Sequence, residues 1–295
     1  MKYLYYPGCS LEGTAREYDI STRAFMTAMG ADLAEIEGWT CCGASAAEAV
    51  SELLTLVLPA RNLALAEGMA PAGRDILVPC SACYLNLRRV EEKARVSHAL
   101  KERINEALAV EDLVYHGRTR TRHLLDVVSR DLGAAGIARR VVRPLSGIRV
   151  APYYGCQCLR PYTVFDDPEA PRSMEPLIAA AGADLHAWTM GGRCCGASHM
   201  NTKMEVGLKL VGAILEAARG ADVVVTVCPM CQMNLDAYQR QVARQTGVDS
   251  TMTILYLPQL LGLAIGLSPE DLRLDLNLAL TGAFLEKLER TATAA

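Results

Sequence analysis

The chain has 295 residues, of which 51% are hydrophobic and 21% are charged, so it can bury a substantial core and is not globally disordered. Its 30 basic and 33 acidic side chains leave a net charge of −3, which argues against a nucleic-acid-binding protein, because such proteins place an excess of Lys and Arg opposite phosphates. The length allows two domains of ordinary size.

The sequence predicts strands that alternate with helices, in the same order in both halves. The expected elements are, in chain order, a strand at 2–6, a helix at 15–29, a strand at 33–36, one long helix at 46–67, a strand at 75–78, a helix from 82 to 90, and strands at 149–153 and 222–227. This alternation indicates parallel βαβ units, so we expect an α/β fold with two tandem parallel repeats.

Two further segments flank the second repeat. Residues 111–147 carry scattered arginines and are expected to form a helical connector that packs against the sheets, and residues 268–295 a C-terminal helix and tail. The most apolar stretch, 254–267, contains Pro258 and is too short for a bilayer, which needs about 20 apolar residues. We expect it to be a core strand and helix, with a membrane-touching or partner-docking segment as the alternative. Residues 1–7 lack a secretion leader, so we expect a cytoplasmic protein with no transmembrane segment.

Eleven cysteines are the most informative feature of the sequence. The reduced cytoplasm does not sustain structural disulfides, so many cysteines at patterned spacing favour metal ligation. Each half contains a single Cys, a long gap, Cys-Cys-Gly, a second long gap and Cys-x-x-Cys. The cysteines are Cys9, Cys41, Cys42, Cys80 and Cys83 in the first half, and Cys156, Cys158, Cys194, Cys195, Cys228 and Cys231 in the second.

The match between the halves extends beyond the cysteines. Gly-Ala-Asp-Leu, at 30–33 and 182–185, precedes Cys-Cys-Gly-Ala-Ser in both halves. Each Cys-x-x-Cys pair is followed at the same spacing by Asn-Leu, which begins at Asn86 and at Asn234. The chain is therefore interpreted as a tandem duplication.

This arrangement of cysteines favours iron–sulfur clusters. A cluster needs thiolates from several chain segments, and four satisfy an ordinary cubane, so five in each half indicate bridging ligation and a non-standard iron core. Adjacent cysteines need a turn to face one centre, and Gly43 and Gly196 are expected to provide it with positive φ. Each Cys-x-x-Cys is expected to begin a helix, where the backbone N–H groups and the dipole favour anionic sulfur. These motifs follow strands, so the site is expected at the carboxyl edges of the sheets.

Several alternatives remain at this point. Zinc, above all in the second half, would use four ligands, and a metal-free redox Cys-x-x-Cys pair is also possible. The segments 6–9 and 153–156 match, so Cys156 is the expected ligand and Cys158 a spare buried thiol or one behind the ligands. Three residues that flank the motifs are Arg160, Arg193 and His199. They are expected to bind an anionic substrate, to tune the reduction potential of a cluster or to supply protons. The alternative is that they are solvated or have a packing role. The remaining histidines are expected at the surface; they are His98, His116, His123 and His186.

The pattern resembles the cysteine-rich CCG domain, duplicated as in the B subunit of heterodisulfide reductase, over nearly the whole chain. The resemblance implies two Rossmann-like CCG domains, at 1–110 and 148–267, each with a noncubane 4Fe-4S cluster, and a disulfide substrate held between the two clusters. The gap between Cys195 and Cys228 is slightly shorter than in the family pattern. The implied ligands are Cys9, Cys41, Cys42, Cys80 and Cys83 for the first cluster and Cys156, Cys194, Cys195, Cys228 and Cys231 for the second.

Four functions follow from these patterns. The leading one is the catalytic subunit of a heterodisulfide reductase-like oxidoreductase that reduces a disulfide or oxidises thiols, where two clusters deliver two electrons and each captures one substrate sulfur. The others are a sulfur-oxidation version acting on a protein-bound sulfur carrier, an electron relay in a succinate- or fumarate-linked complex, and a zinc scaffold. The sequence contains no cubane ferredoxin motif, so electrons must come from a partner. The resemblance implies two partners, an iron–sulfur C subunit, and a flavin-containing A subunit.

Overall fold

The computed structural model describes residues 1–44, 46–70, 74–247 and 251–293. Ser45 of the first repeated motif and the last two residues of the expected tail lie outside these ranges. The strands within the described residues are β1 (Lys2–Tyr5), β2 (Asp32–Glu35), β3 (Ile76–Val78), β4 (Thr121–His123), β5 (Arg149–Tyr153), β6 (Asp184–Leu185), β7 (Val223–Thr226) and β8 (Thr253–Tyr256).

Helices connect these strands and cover the sheets. They are α1 (Cys9–Glu12), α2 (Arg16–Ala28), α3 (Ala46–Val50), α4 (Glu52–Met69), α5 (Ser81–Val96), α6 (His98–Leu108), α7 (Leu124–Val127), α8 (Gly133–Ala138), α9 (Glu175–Ala180), α10 (Met204–Ala217), α11 (Pro229–Ala237), α12 (Gln239–Thr246), α13 (Leu257–Ala264) and α14 (Gly282–Thr293). Short 3₁₀ or π turns occur at Ala109–Glu111, Val128–Leu132, Ala197–His199 and Leu274–Leu276.

The strands form two equivalent parallel sheets. Their orders are β2-β1-β3-β4 and β6-β5-β7-β8, and every pairing is parallel. β3, β7 and β8 are buried along their whole length, as expected for parallel strands with both faces covered. The α/β class with two tandem parallel βαβ repeats is confirmed, and each of the five expected strands lies within one residue of its expected ends.

The expected single helix at 46–67 is wrong, because the structure contains two helices, α3 and α4, that meet at Ser51. Ser51 has extended backbone angles (φ −161°, ψ 135°), and its Oγ accepts a hydrogen bond from the Leu54 N–H at 3.4 Å. Serine is a favoured N-cap because its hydroxyl satisfies an N–H group of the first turn. A local cap therefore ends one helix and begins another within an Ala/Leu-rich run.

The segment 111–147, expected to be a helical connector, also contributes a strand. β4 lies inside it and pairs with β3 through the register Val78–His123, so it forms the outer strand of the first sheet. The domain boundaries expected after residues 110, 147 and 267 stay predictions. The stretch 254–267 forms β8 and α13, which confirms the expected core strand and helix.

The two halves share one hydrophobic core. α2 of the first half packs against α13 of the second, and the rings of Tyr18 and Tyr256 stack there with centroids 3.9 Å apart and planes inclined by 3°. The C-terminal helix α14 is tied to the second sheet by an ion pair of 2.8 Å between Lys287 Nζ and Asp222 Oδ2. The residues that follow β3 and β7 also meet, because the Ser81 hydroxyl donates to the Val227 carbonyl oxygen at 3.4 Å.

Candidate metal centres

The cysteines lie where the central strands end. Cys9 begins α1 shortly after β1, Cys80 is the N-cap residue of α5 after β3, and Cys228 is the N-cap residue of α11 after β7. Both Cys-x-x-Cys motifs therefore begin helices at the carboxyl edge of a sheet. The exposed N–H groups of a first helical turn stabilise negative charge on sulfur.

The first five thiols form one continuous group. Cys9 Sγ lies 3.6 Å from Cys41 Sγ, and Cys42 Sγ lies 3.4 Å from Cys83 Sγ. Contacts with the thiols of Cys42 and then Cys80 raise the pKa of the Cys83 thiol. Cys9 and Cys41 are exposed and the other three are buried, so the group has one open edge.

The second five thiols repeat this arrangement. Cys195 Sγ lies 3.6 Å from Cys231 Sγ. Contact with Cys194 raises the pKa of the Cys156 thiol, and contacts with Cys195 and then Cys228 raise that of Cys231. Cys194 is exposed, Cys156 is half-buried and the other three are buried. The structure thus brings the ten predicted ligands together as two groups of five, which we call the first set and the second set.

Within each set, neighbouring thiols favour the thiolate form of some members. Contacts with the thiols of Cys41 and then Cys83 lower the pKa of the Cys42 thiol. Contact with Cys156 lowers the pKa of Cys194 to about 6, and contact with Cys231 lowers that of Cys228 to about 6. Thiolate is the form of cysteine that binds metal. Each set therefore has the chemistry of a site for a cationic metal group.

Backbone and amide donors support the sulfurs in the same way in both halves. The N–H of Gly43 lies 3.4 Å from Cys41 Sγ, and the N–H of Gly196 lies 3.3 Å from Cys194 Sγ. Both glycines have positive φ, 74° and 77°, as expected from the Cys-Cys-Gly turn. These N–H groups donate to the sulfur two residues earlier and fix the turn that separates the adjacent cysteines.

Asn86 and Asn234 are supporting residues that the sequence patterns had not assigned to the site. Each donates its side-chain amide to the carbonyl of the second cysteine of Cys-Cys-Gly at 3.2 Å and lies 3.8 Å from the Sγ of that cysteine. The signal was present, because both asparagines occupy the same place in the repeat. A polar residue retained in both copies and buried beside the cysteines points to the site.

The space next to the sulfurs is kept clear by glycine. A Cβ added to Gly8 would lie 2.8 Å from Cys83 Sγ, and one added to Gly155 would lie 2.8 Å from Cys231 Sγ. Both residues have positive φ, 75° and 71°, which glycine adopts without strain. In each set, a glycine with positive φ therefore leaves the space beside one sulfur free of a side chain that would displace it.

The sulfurs do not converge as the ligands of one ion do. Within the described ranges, no three His, Cys, Asp or Glu side chains have the geometry of a single-ion site. The thiols contact one another in sequence along each set instead, and all eleven cysteines, which lie in those ranges, are free of disulfides. Five thiols spread in this manner, with N–H donors directed at them, fit a group of several metal atoms better than one tetrahedral zinc, which takes four ligands.

Cavities reach both sets. A groove of about 560 Å³ opens beside Cys9 and Cys41 and is lined by Glu12, Glu35 and Glu37. A small cavity of about 50 Å³ touches the five cysteines of the second set and also Ser81 of the first half. The position between the two sets that the resemblance implies for a disulfide substrate stays a prediction.

The flanking residues differ in their surroundings. Cys158 is buried, its Sγ lies 3.3 Å from the Tyr154 carbonyl oxygen, and burial raises the pKa of its thiol, which fits a spare buried thiol. Arg160 donates to the carbonyls of Pro168 at 2.7 Å and Gly192 at 2.5 Å, so it holds the loop before α9. Arg193 and His199 are exposed near Cys194.

The expected surface position of His123 is wrong. Its side chain is 0% exposed, and its Nε2 lies 3.1 Å from Ser81 Oγ. β4 carries it into the interior between the two halves, which the short and polar sequence of that strand did not indicate. His98 and His116 are exposed, as expected, and His186 is half-buried.

Comparison with known proteins agrees with this geometry. The model of the cysteine-rich CCG domain matches the chain twice, at residues 3–88 and 150–236, which hold one set each. The chain belongs to the CCG family. Within the part of this CCG chain that the structure describes, no helix is both long and apolar enough to cross a membrane.

Relatives of this CCG chain include subunits of reductases. It is 36% identical over 94% of its length to the 8-methylmenaquinol:fumarate reductase membrane anchor subunit of Wolinella succinogenes, of which 96% is covered. It is 29% identical over 92% of its length to a protein of Archaeoglobus profundus that is named as similar to the heterodisulfide reductase B subunit, and 92% of that protein is covered. It is also 29% identical to the B subunit of the ferredoxin/F420H2-dependent CoB-CoM heterodisulfide reductase of Methanosarcina acetivorans, with 95% of each chain covered.

A solved structure shares the fold. The crystal structure of a hypothetical protein from Helicobacter pylori superposes with a TM-score of 0.78 at 16% identity. The match covers 96% of this chain and 52% of the other, so the CCG chain spans about half the length of that protein. The heterodisulfide reductase resemblance predicted from the cysteine pattern is confirmed at the level of the family.

Proposed function

We propose that this chain is an iron–sulfur electron-transfer subunit of a reductase complex, and specifically that it reduces a disulfide, or oxidises thiols, with two noncubane 4Fe-4S clusters. The observation that carries the proposal is the duplicated set of five thiols, supported by matched N–H donors and kept clear by matched glycines. An ordinary cubane needs four thiolates, so a fifth thiol in each set favours the noncubane form.

The ligands proposed are the ten cysteines of the two sets. When bound, an iron–sulfur cluster supplies electrons singly and offers iron as a Lewis acid. The amides of Asn86 and Asn234 hold the buried Cys42 and Cys195 in place by bonding to their carbonyls. Because these contacts hold the cysteines in place, the protein would rearrange little when the charge of a bound cluster changes.

The exposed cysteines define where a substrate reaches each set. Cys9 and Cys41 form the open edge of the first set, and Cys194 that of the second. Arg193 lies next to Cys194 and provides a positive charge for an anionic group on the substrate, and His199 is a nearby proton donor for a product thiolate. The first set opens instead on a groove lined by three glutamates. The two ends of an asymmetric disulfide would therefore meet different charges.

The complex we propose includes an iron–sulfur C subunit, together with a flavin-containing A subunit, and is located in the cytoplasm. The relatives named after the B subunit of heterodisulfide reductase support partners of this kind. The eleven unpaired thiols are compatible with a reducing compartment.

A second candidate function is an electron relay in a fumarate-linked complex. The observation that favours it is the identity of 36% with the Wolinella succinogenes protein, which is higher than the 29% shared with two heterodisulfide reductase relatives. A relay uses the same two clusters but has no need of a disulfide.

The experiment that separates the two functions uses the anaerobically purified chain. The electron paramagnetic resonance spectrum is recorded during a redox titration, with and without an added anionic disulfide and the matching thiols. We expect the thiols to change the cluster spectrum, because a substrate sulfur reaches a set directly. If neither the disulfide nor the thiols change the electron paramagnetic resonance spectrum at any potential, the disulfide proposal is contradicted and the relay is favoured.

A further inference from the structure

A buried tyrosine at the carboxyl end of β1 and of β5 holds the segment that carries an exposed cysteine. The Tyr6 hydroxyl donates to the Thr40 carbonyl oxygen at 2.7 Å, and the Tyr153 hydroxyl donates to the Arg193 carbonyl oxygen, also at 2.7 Å. Both tyrosines are 0% exposed. Thr40 and Arg193 are the residues directly before Cys-Cys-Gly. The two halves therefore share a third contact that fixes this turn.

A tryptophan packs edge-on against each of these tyrosine rings. The ring centroids of Tyr6 and Trp39 are 5.3 Å apart with planes inclined by 82°, and those of Tyr153 and Trp188 are 6.1 Å apart with planes inclined by 60°. Aromatic pairs favour this edge-to-face arrangement. A phenylalanine in place of either tyrosine would keep the ring packing and remove only the hydrogen bond.

The first half holds Thr40 a second time, through Asn62. The Asn62 Nδ2 donates to the Thr40 carbonyl oxygen at 2.9 Å, and its Oδ1 accepts from the Thr40 N–H at 2.8 Å. Asn62 lies on α4 and is 0% exposed. Both backbone groups of the residue before Cys41 are therefore fixed by a buried amide in addition to the Tyr6 hydroxyl.

The second half has no counterpart of Asn62. α10, which like α4 lies between Cys-Cys-Gly and the next strand, contains neither asparagine nor glutamine. Within the part of the chain that the structure describes, the Arg193 carbonyl accepts a hydrogen bond from Tyr153 alone. The Arg193 N–H donates to the carbonyl of the nearby Met190 at 3.1 Å. A single side chain from outside this turn thus holds the residue before Cys194.

Arg160 gives the second turn a weaker support. Its guanidinium donates to the carbonyl of Gly192, one residue before Arg193, at 2.5 Å. The Arg160 side chain is 36% exposed and also pairs with the exposed Glu169. Because contacts of exposed charged side chains contribute little to stability, Arg160 does not replace the buried amide of Asn62.

We propose that Tyr6 and Tyr153 are positioning residues for the exposed Cys41 and Cys194, and that Cys194 releases a bound metal more readily than Cys41. The inference rests on the proposed function, because it requires metal in both sets. Residues that orient a ligand contribute to metal affinity, so a cysteine whose turn is held by one buried side chain leaves its metal at a lower cost than one held by two. The open edge of the second set is therefore the first to yield to a substrate sulfur.

The test measures which exposed cysteine becomes free first. The iron-loaded chain is incubated anaerobically with an iron chelator and iodoacetamide, and alkylation of Cys41 and Cys194 is followed by peptide mass spectrometry. Each rate is divided by the rate of the same cysteine in the iron-free chain. In the wild type we expect Cys194 to be alkylated before Cys41. In Tyr153→Phe we expect alkylation of Cys194 to be about fivefold faster, as for the loss of one hydrogen bond, and that of Cys41 to be unchanged.

Matched variants of the first half test the difference between the sets. Tyr6→Phe is expected to change the alkylation of Cys41 less than Tyr153→Phe changes that of Cys194, because Asn62 still holds the turn of the first set. Tyr6→Phe combined with Asn62→Ala is expected to free Cys41 as readily as Tyr153→Phe frees Cys194. An effect of Tyr6→Phe at Cys41 as large as that of Tyr153→Phe at Cys194 would overturn the difference.

Tyr5→Phe is the control for the loss of a buried hydroxyl. The Tyr5 hydroxyl donates to Asp19 at 2.7 Å and not to a segment that carries a cysteine, so neither alkylation rate should change. A second readout is the electron paramagnetic resonance spectrum of the second-set cluster, assigned with Cys194→Ser. This spectrum is expected to change in Tyr153→Phe and to stay unchanged in Tyr5→Phe.

The outcomes separate this inference from the proposed function. Iron in both sets, with Cys41 freed first or with equal rates in the wild type and Tyr153→Phe, overturns the inference and leaves the proposed function standing. Equal effects of Tyr153→Phe and Tyr5→Phe on the rates and the spectrum overturn the positioning role in the same way. Protein that binds no iron overturns both.

Discussion

Asn86 and Asn234 make the same contact in the two halves: each side-chain amide lies 3.2 Å from the carbonyl oxygen of the second cysteine of a Cys-Cys-Gly motif. Both asparagines are buried on the first turns of the helix that begins with the Cys-x-x-Cys pair. The contact therefore joins two of the three chain segments that supply cysteines to each set, and it does so without a metal.

The first prediction concerns these asparagines. Asn86→Ala and Asn234→Ala each leave a buried carbonyl without its donor, which costs about 1–3 kcal/mol of the free energy of unfolding. We expect each variant to lose iron from one set only, measured as iron per chain together with chemical denaturation. Asn201→Ala, at an exposed position, is the control. Equal stability and iron content in Asn86→Ala and Asn201→Ala would contradict this role.

The second prediction concerns the glycines beside the sulfurs. Gly8→Ala and Gly155→Ala place a methyl group 2.8 Å from Cys83 Sγ and Cys231 Sγ and require positive φ of an alanine. We expect each variant to lose about half of the iron-dependent absorption, because one sulfur is displaced. Gly68→Ala is the control, since an added Cβ there meets nothing within 4 Å. If Gly8→Ala kept its full iron-dependent absorption, the close approach of residue 8 to Cys83 Sγ would not be needed for the cluster to bind.

The third prediction is a dependence of stability on pH that arises from His123. Burial lowers its pKa from 6.5 to about 4, so between these values the unfolded chain binds more protons than the folded one. Stability therefore falls as the pH falls through this window. The loss from His123 at pH 5, relative to pH 7, is about 2 kcal/mol.

The measurement is denaturant unfolding at pH 7 and pH 5. His123→Asn removes the titrating ring but keeps a residue able to cap α7, so we expect its stability to depend less on pH than that of the wild type. His98→Gln, at a side chain that is 84% exposed, is expected to behave like the wild type. If the free energy of unfolding of the wild type and of His123→Asn changed equally between pH 7 and pH 5, His123 would not be held neutral in the folded protein.

Much of the fold followed from local patterns. Short apolar runs separated by helical segments predicted parallel strands, and the repeated cysteines predicted where the site lies. The break at Ser51 was missed because one capping hydroxyl decided between a continuous helix and two helices. Such a cap has no effect on the hydrophobic pattern used to predict the helix.

β4 was missed for a different reason. Its sequence, Thr-Arg-His, is polar, and its burial depends on partners outside the strand, some of them distant in the chain. The Thr121 N–H donates to Glu91 at 2.6 Å, Arg122 pairs with Asp126 and Asp131, and His123 meets Ser81. The pairings with Glu91 and Ser81, 30 and 42 residues away, are not visible in a sequence read segment by segment.

The most direct test of the central claim is the metal content of the anaerobically purified chain, determined with acid-labile sulfide. Two clusters predict about eight irons and a matching amount of sulfide per chain, with Cys194→Ser losing iron from the second set and Cys158→Ser losing none. A colourless protein that contains no iron, or about one zinc per set, would contradict the account.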